Sequence, residues 1–213
     1  MTEEKARELE LVRMATAGDK NAFRELFENY YSRAYGLAYG IMRNAEDAEE
    51  VLQEAFVKAY LGLKNFKGDS SFYTWLYRIV RNMAIDVKRK MARRIQSVSE
   101  EPDPDRSATE DGHLNYRAAS PQEAYETKQE LALAQRALNG LKEEQRTILI
   151  LREVDGLSYE EIAKVCGLNS GTVMSRLFYA RKALKKILND LEIEQEELEN
   201  VNINKMPRYV AQT

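Results

Sequence analysis

The chain has 213 residues, of which 31% are charged and 44% hydrophobic, with a net charge of −3; it is long enough to bury one or two cores, and no apolar run approaches the ~18 residues of a membrane span. The acidic start, MTEEKARELELVRM, lacks the basic-then-apolar order of a secretory signal, and a single cysteine, Cys166, forms no internal disulfide, so a reducing compartment is expected. With one histidine (His113), no Ca²⁺-loop spacing, and neither a GxxxxGK[ST] nor a GxSxG motif, the sequence predicts no metal, no cofactor, no small-molecule substrate and no catalysis by this chain alone.

Periodicity is helical nearly throughout, which predicts an all-α fold. A first helix is expected over about residues 5 to 17, with Leu9, Val12 and Met14 or Ala15 inward, stopping at Gly18. The second runs from about 20 to 43 and buries Phe23, Leu26, Phe27, Tyr30, Leu37 and Ile41. Asn44 is a natural N-cap for a third, whose apolar face is Ala48, Val51, Leu52, Ala55, Ala59 and Leu63. Residues 45 to 56 of that helix carry five acids and no base, with Asp47, Glu50 and Glu54 on one stripe and Gln53 beside it. The pattern breaks from Asn65 to Ser70, and a fourth helix is expected from near Ser71 to about Arg94.

The stretch FKGDSSFYTWLYRIVRN spans that break. Five of the 19 aromatics (Phe66, Phe72, Tyr73, Trp75, Tyr77) fall within twelve residues there. Seven bases against one acid follow over residues 78 to 94. Trp75, Leu76, Ile79 and Tyr73 are expected to hold the bundle, leaving Phe66, the loop and Asn82 for contact with a partner. Residues 97 to 126 carry eight acids against two arginines, and the part from Ser97 to Ser120, with PDPD, reads as a flexible acidic tether. SPQE then announces a helix: Ser120 as N-cap, Pro121 at the first helical position and Glu123 completing a capping box, with Gly140 as the stop.

Further helices are expected at about 142 to 154, 159 to 166 and 170 to 190. The last two form a helix-turn-helix, SYEEIAKVCGLNSGTVMSRLFYARKAL. Ser158 and Glu161 supply a second capping box, Ala163 is small at the crossing and Gly167 permits the turn. Ile162, Cys166, Leu168, Val173 and Leu177 are the buried contacts, and the apolar row continues through Ala180, Leu184 and Ile187. Outward faces are left to Ser170, Thr172, Met174, Ser175, Arg176, Phe178, Tyr179, Arg181 and Lys182. Arginine there can bridge guanine in the major groove, and Lys185 and Lys186 suit phosphate. Residues 162 to 189 carry six bases and no acid, whereas 190 to 199 carry six acids and no base. A helical hairpin with a basic outside would account for the charge, but not for caps and turn together.

The stretches AEDAEEVLQEAFVKAY, FKGDSSFYTWLYRIVRNMAID and LREVDGLSYEEIAKVCGLNSGTVMSRL, in this order and separation, resemble the bacterial extracytoplasmic function (ECF, group IV) sigma factors of RNA polymerase. The resemblance implies a region 2 domain over residues 10–95, a flexible acidic linker over 96–120, a region 4 helix-turn-helix domain over 121–188 and an acidic tail over 189–213, flexible and at most partly helical. It further implies a cytoplasmic protein that binds core RNA polymerase and directs promoter-specific initiation, and an anti-sigma partner.

Each block acquires an implied role. Asp47, Glu50, Gln53 and Glu54 would dock on the clamp helices of the polymerase's largest subunit, with the flap region as a further contact. Phe66, Lys67, Gly68, Asp69, Ser70, Ser71, Arg78, Arg81 and Asn82 would melt the −10 promoter element and hold its single strand, with Lys88, Arg89 and Lys90 as further phosphate partners. The outward helix-turn-helix residues would read −35 duplex DNA, and the linker would thread polymerase channels. Met174 and Tyr179 stand where many relatives carry basic residues, so the −35 sequence of well-known relatives does not transfer. The competing reading is a free-standing helix-turn-helix regulator that binds DNA without polymerase.

Overall fold

The computed structural model describes residues 3–97 and 132–205, and among these the fold is all-α, with no strand. Helices α1 (Glu3–Thr16), α2 (Lys20–Met42), α3 (Ala45–Gly62) and α4 (Phe72–Ser97) form the first domain, with a short 3₁₀ turn, Leu63–Asn65, after α3. The second contains α5 (residues 132–140), α6 (Glu143–Leu149), a π-helical turn (Ile150–Val154), α7 (Tyr159–Cys166) and α8 (Ser170–Lys205). The tether, the SPQE capping box and His113 lie outside the described residues.

Local chemistry sets the helix starts. The Asp19 carboxylate accepts from the amides of Asn21 and Ala22, and the Asn44 side chain accepts from Asp47 N–H at 3.0 Å. At α7 both arms of the capping box form: Glu161 N–H to Ser158 Oγ at 3.2 Å, and Ser158 N–H to Glu161 Oε2 at 2.9 Å. Gly167 then ends α7 at φ 67°, a left-handed conformation that favours glycine. These devices meet backbone donors and acceptors that a helix end otherwise leaves unpaired.

The core of the first domain is the apolar stripe of α2 and α3 closed by α4. Leu26, Leu37, Ile41, Leu52 and Leu76 are fully buried, each worth about 1.5–3 kcal/mol relative to exposure. Ala34, Ala38, Ala48 and Ala55, also fully buried, let the helix axes approach. Helix α1 differs from expectation. It buries Leu11, Val12 and Ala15, while Leu9 is 55% exposed, because the chain reversal at Gly18 and Asp19 lays the Leu11 side of α1 on α2. Helix α8 also departs from the expected end near residue 190. It continues to Lys205, since DLEIEQEELENVNINK offers strong helix formers and no glycine or proline.

The two domains pack on each other, with α6 and the π turn against α2, and α7 against α4. Their buried apolar residues form one contiguous cluster.

Candidate nucleic-acid interface

Three surfaces carry the residues singled out in the sequence. The first is the outer face of α3. Glu50, Gln53 and Glu54 are exposed, and Asp47 is half-buried beside the Asn44 cap. The same stripe continues into Val57 and Leu61, 60% and 64% exposed, so an acidic row passes into an apolar one. Sequence reasoning missed this extension, although positions 47, 50, 54, 57 and 61 share one helical face.

The second surface is a cleft of about 350 Å³ between the 66–71 loop and the start of α4. Phe66, Lys67, Gly68, Asp69, Ser70 and Arg78 line it, together with Asn65, Thr74, Trp75 and Lys164. Its apolar wall is a ring cluster: Phe66 packs on Trp75 with ring centroids 5.2 Å apart and on Phe72 at 6.2 Å. Trp75 is half-buried, so it serves core and cleft together, while Leu76 is fully buried and Ile79 packs at the edge. Gly68 has φ 78°, which turns the loop so that its backbone is open to a ligand.

Ser71, Arg81 and Asn82 do not line the cleft. The Ser71 hydroxyl lies 2.7 Å from that of Thr74, at the N-terminal end of α4. Asn82 is exposed one turn beyond Arg78 on the same face of α4, whereas Arg81 is half-buried. Lys88 is spoken for: its ammonium donates to Glu143 Oε2 at 2.6 Å and to the Ile41 carbonyl at 3.1 Å. Lys88 therefore fastens the domains in this arrangement, and only Arg89 and Lys90 remain exposed from that group.

The third surface is the start of α8. Val173, Leu177 and Ala180 are buried against α7 and α6, and Leu184 and Ile187 continue the row half-buried. Met174, Phe178 and Tyr179 point outward at 56%, 64% and 61% exposure, an unusual apolar density for a solvent face. Ser175 and Lys182 are exposed beside them, with Ser170 and Thr172 half-buried at the helix start. Both arginines are held by carboxylates that the sequence reading did not pair with them. Arg176 contacts Glu144 at 2.8 Å and Arg181 contacts Glu153 at 2.6 Å. The Glu153 hydrogen bond raises the Arg181 pKa, so this guanidinium stays charged. Burial pushes the Cys166 thiol up, which keeps it protonated at the helix crossing.

Among the described residues no cluster of histidine, cysteine and carboxylates is arranged to hold a metal ion, and no helix is long and apolar enough to cross a membrane.

Comparison with known proteins gives these surfaces a common context. Residues 26–94 match the Sigma-70 region 2 family, and residues 131–184 match Sigma-70, region 4. The RNA polymerase sigma-H factor of Pseudomonas aeruginosa is 41% identical over 187 residues, covering 85% of this chain and 94% of that protein. The ECF RNA polymerase sigma-E factor of Escherichia coli is 37% identical over 174 residues, covering 82% of this chain and 90% of that one. Two solved structures share the fold. The sigma factor RpoE of Bartonella quintana, in complex with the anti-sigma factor NepR, has a TM-score of 0.65 at 26% identity and covers 78% of this chain and 96% of that one. CnrH, in complex with the cytosolic domain of CnrY, has a TM-score of 0.62 at 25% identity, covering 86% and 98%. With both sigma regions matched in order and close relatives covered almost end to end, the chain belongs to the extracytoplasmic function sigma factors of the sigma-70 family.

Proposed function

We propose that this sigma factor is a group IV factor that acts in the cytoplasm, without catalysis of its own, by joining core RNA polymerase and choosing where it starts. In this reading residues 10–95 dock on polymerase and open the −10 element, 121–188 read the −35 duplex, 96–120 thread the enzyme and 189–213 form a modulating tail. The carrying observation is that one chain presents an acidic docking stripe, a base-sized cleft and an exposed helix-turn-helix face.

The physical chemistry suits each part. Glu50 and Glu54 are exposed anions for basic polymerase helices. Unstacking a base costs a few kcal/mol, which an open cleft with Phe66 as wall and Asp69 and Ser70 as polar partners can help offset. Arg78 and Asn82 extend the strand path along α4, and stacking plus cationic tracking is the general means of holding single strands. On α8, Met174 and Phe178 suit thymine methyl groups, while Arg176, Arg181 and Lys182 suit base edges or phosphates. An anti-sigma factor is a further partner, supported by the complex with the anti-sigma factor NepR in which RpoE of B. quintana was solved.

The test is reconstitution: purified chain added to core polymerase, with run-off transcripts mapped from a random promoter library. Defined start sites with shared upstream and −10 sequences are expected. Duplex binding with no polymerase association would replace this reading with a free-standing regulator.

A further inference from the structure

Both arginines in the first half of α8 are held by carboxylates, and the lysines beside them are not. Arg181 gives Nε and Nη2 protons to one oxygen of Glu153, at 2.9 and 2.6 Å. Arg176 meets Glu144 Oε2 through Nη1 at 2.8 Å. Lys182, Lys185 and Lys186 are exposed, and among the described residues no acid pairs with them. Neither carboxylate belongs to α8: Glu144 stands in the first turn of α6 and Glu153 in the π turn.

Position around the helix separates the arginines from the base-facing side chains. A helix advances about 100° per residue, so Val173, Leu177 and Ala180 form the inward row of α8 and Ser175, Phe178 and Lys182 the outward one. Arg176 and Arg181 fall about 140° apart, one on each flank between those rows. A helix in the major groove turns its outward row to the base edges and its flanks to the phosphates of the two strands. On the Arg176 flank, Lys142, Gln145 and Tyr179 frame a hollow of about 510 Å³ against α6, with room for a backbone phosphate and its sugar. Both pairs are open to water: Arg181 and Glu153 are each 50% exposed, and Arg176 and Glu144 38% and 69%. Parting an exposed pair of this kind weakens a competing contact by no more than about fivefold.

We propose that Glu144 and Glu153 stand in for two DNA phosphates: they mask the flanking arginines in the free chain, and duplex binding exchanges each carboxylate for a backbone phosphate. The proposal rests on the reading of α8 as a duplex-binding helix. The mask sets how tightly any duplex is held and leaves the choice of sequence to the outward row. Phosphates are alike in every sequence, so affinity for selected and unrelated duplexes falls by one common factor. The salt dependence is flattened too, because a carboxylate left beside the DNA retains a cation there that an unmasked arginine would release.

The experiment titrates the full chain against two labelled duplexes, followed by fluorescence anisotropy over a series of potassium chloride concentrations. One duplex carries the upstream element selected from the random library, and the other an unrelated sequence of the same composition. Glu144→Gln and Glu153→Gln are each expected to bind both duplexes about two- to fivefold more tightly, by the same factor. The slope of log affinity against log salt is expected to steepen by about 0.9 in each variant. In the Arg176→Ala and Arg181→Ala backgrounds, respectively, the same substitutions are expected to change nothing further, the mark of a pairwise coupling. Glu160→Gln removes an equal charge from α7 where no arginine is paired, and is expected to leave affinity within the error of wild type. Unchanged affinity in both glutamine variants overturns the mask, and so does a gain that persists without the arginine or that Glu160→Gln reproduces. A gain confined to the selected duplex would make the arginines base readers and overturn it as well. Wild type and every variant failing on both duplexes would remove the duplex-binding reading itself, a result distinct from a wild type that binds and variants that match it.

Discussion

Asp155 shows how much one side chain reveals about the assembly. Burial raises its pKa from 3.8 to about 6, against the opposing pull of Arg33 on α2 and the Tyr77 hydroxyl on α4. The packed state therefore holds a proton between about pH 4 and 6 that the unfolded chain has released. Its contribution is fully present below the unfolded value and is lost as pH rises through the folded one. Two units correspond to about 3 kcal/mol. Asp155→Asn, which keeps shape and stays neutral, is expected to stabilise the chain relative to wild type more at pH 7.5 than at pH 4.5. Thermal melts of both proteins at the two pH values check this, and an equal difference at both would show that the carboxyl ionises freely. Nothing in LREVDGLS marks this aspartate as buried, since its socket comes from residues 78 and 122 positions earlier in the chain. Residue-scale readings succeed where cause and effect are neighbours, as at Asn44, Ser158 and Gly167. They fail where the partner is distant, as for Lys88, which looks like one more base in a phosphate-binding row.

At the scale of elements, the outer stripe of α3 makes the cleanest separate test. Glu50 and Glu54 are exposed and no fold contact depends on them, so substitutions there should change stability by no more than about 0.5 kcal/mol. Glu50→Lys with Glu54→Lys reverses the local sign and is expected to weaken core polymerase association at least about tenfold, the equivalent of 1.4 kcal/mol. Duplex binding through α8 should be unchanged. Co-sedimentation with core polymerase alongside a melt decides it, because loss of association with an unchanged melt isolates docking from folding. Most of the inward stripe of α3 was legible, since Ala48, Val51, Leu52, Ala55, Ala59 and Leu63 recur at helical spacing and all are buried, whereas the buried Phe56 was missed. Its apolar outer extension was not, because Val57 and Leu61 resemble core residues until packing leaves them outside. Helix α1 shows the same limit: Leu9 and Leu11 are equally apolar, and only the turn at Gly18 decides which faces α2.

For the whole molecule, the question is whether two domains behave as one. Fold class and the helix-turn-helix follow from periodicity and caps, which are local, whereas the packing of the domains depends on polar pairs and a shared apolar cluster drawn from α2, α4, α6 and the π turn. The packed structure joins both sets of buried residues into one cluster, with Ile150 8% exposed over Gly40. Residues 132 to 190 alone are about the size at which a domain buries only ~60% of its unfolded surface and is marginally stable. Docking should therefore lend stability to the second domain, and the wild-type chain should unfold in one calorimetric transition. Gly40→Arg removes that support without touching the second domain's own sequence. The variant is expected to show two transitions, the lower belonging to the second domain and the upper close to the wild-type midpoint. A cooperative unit split by one substitution on the opposite domain is the thermal signature of an interface. A single unchanged transition in the variant would mean that the two domains never relied on each other.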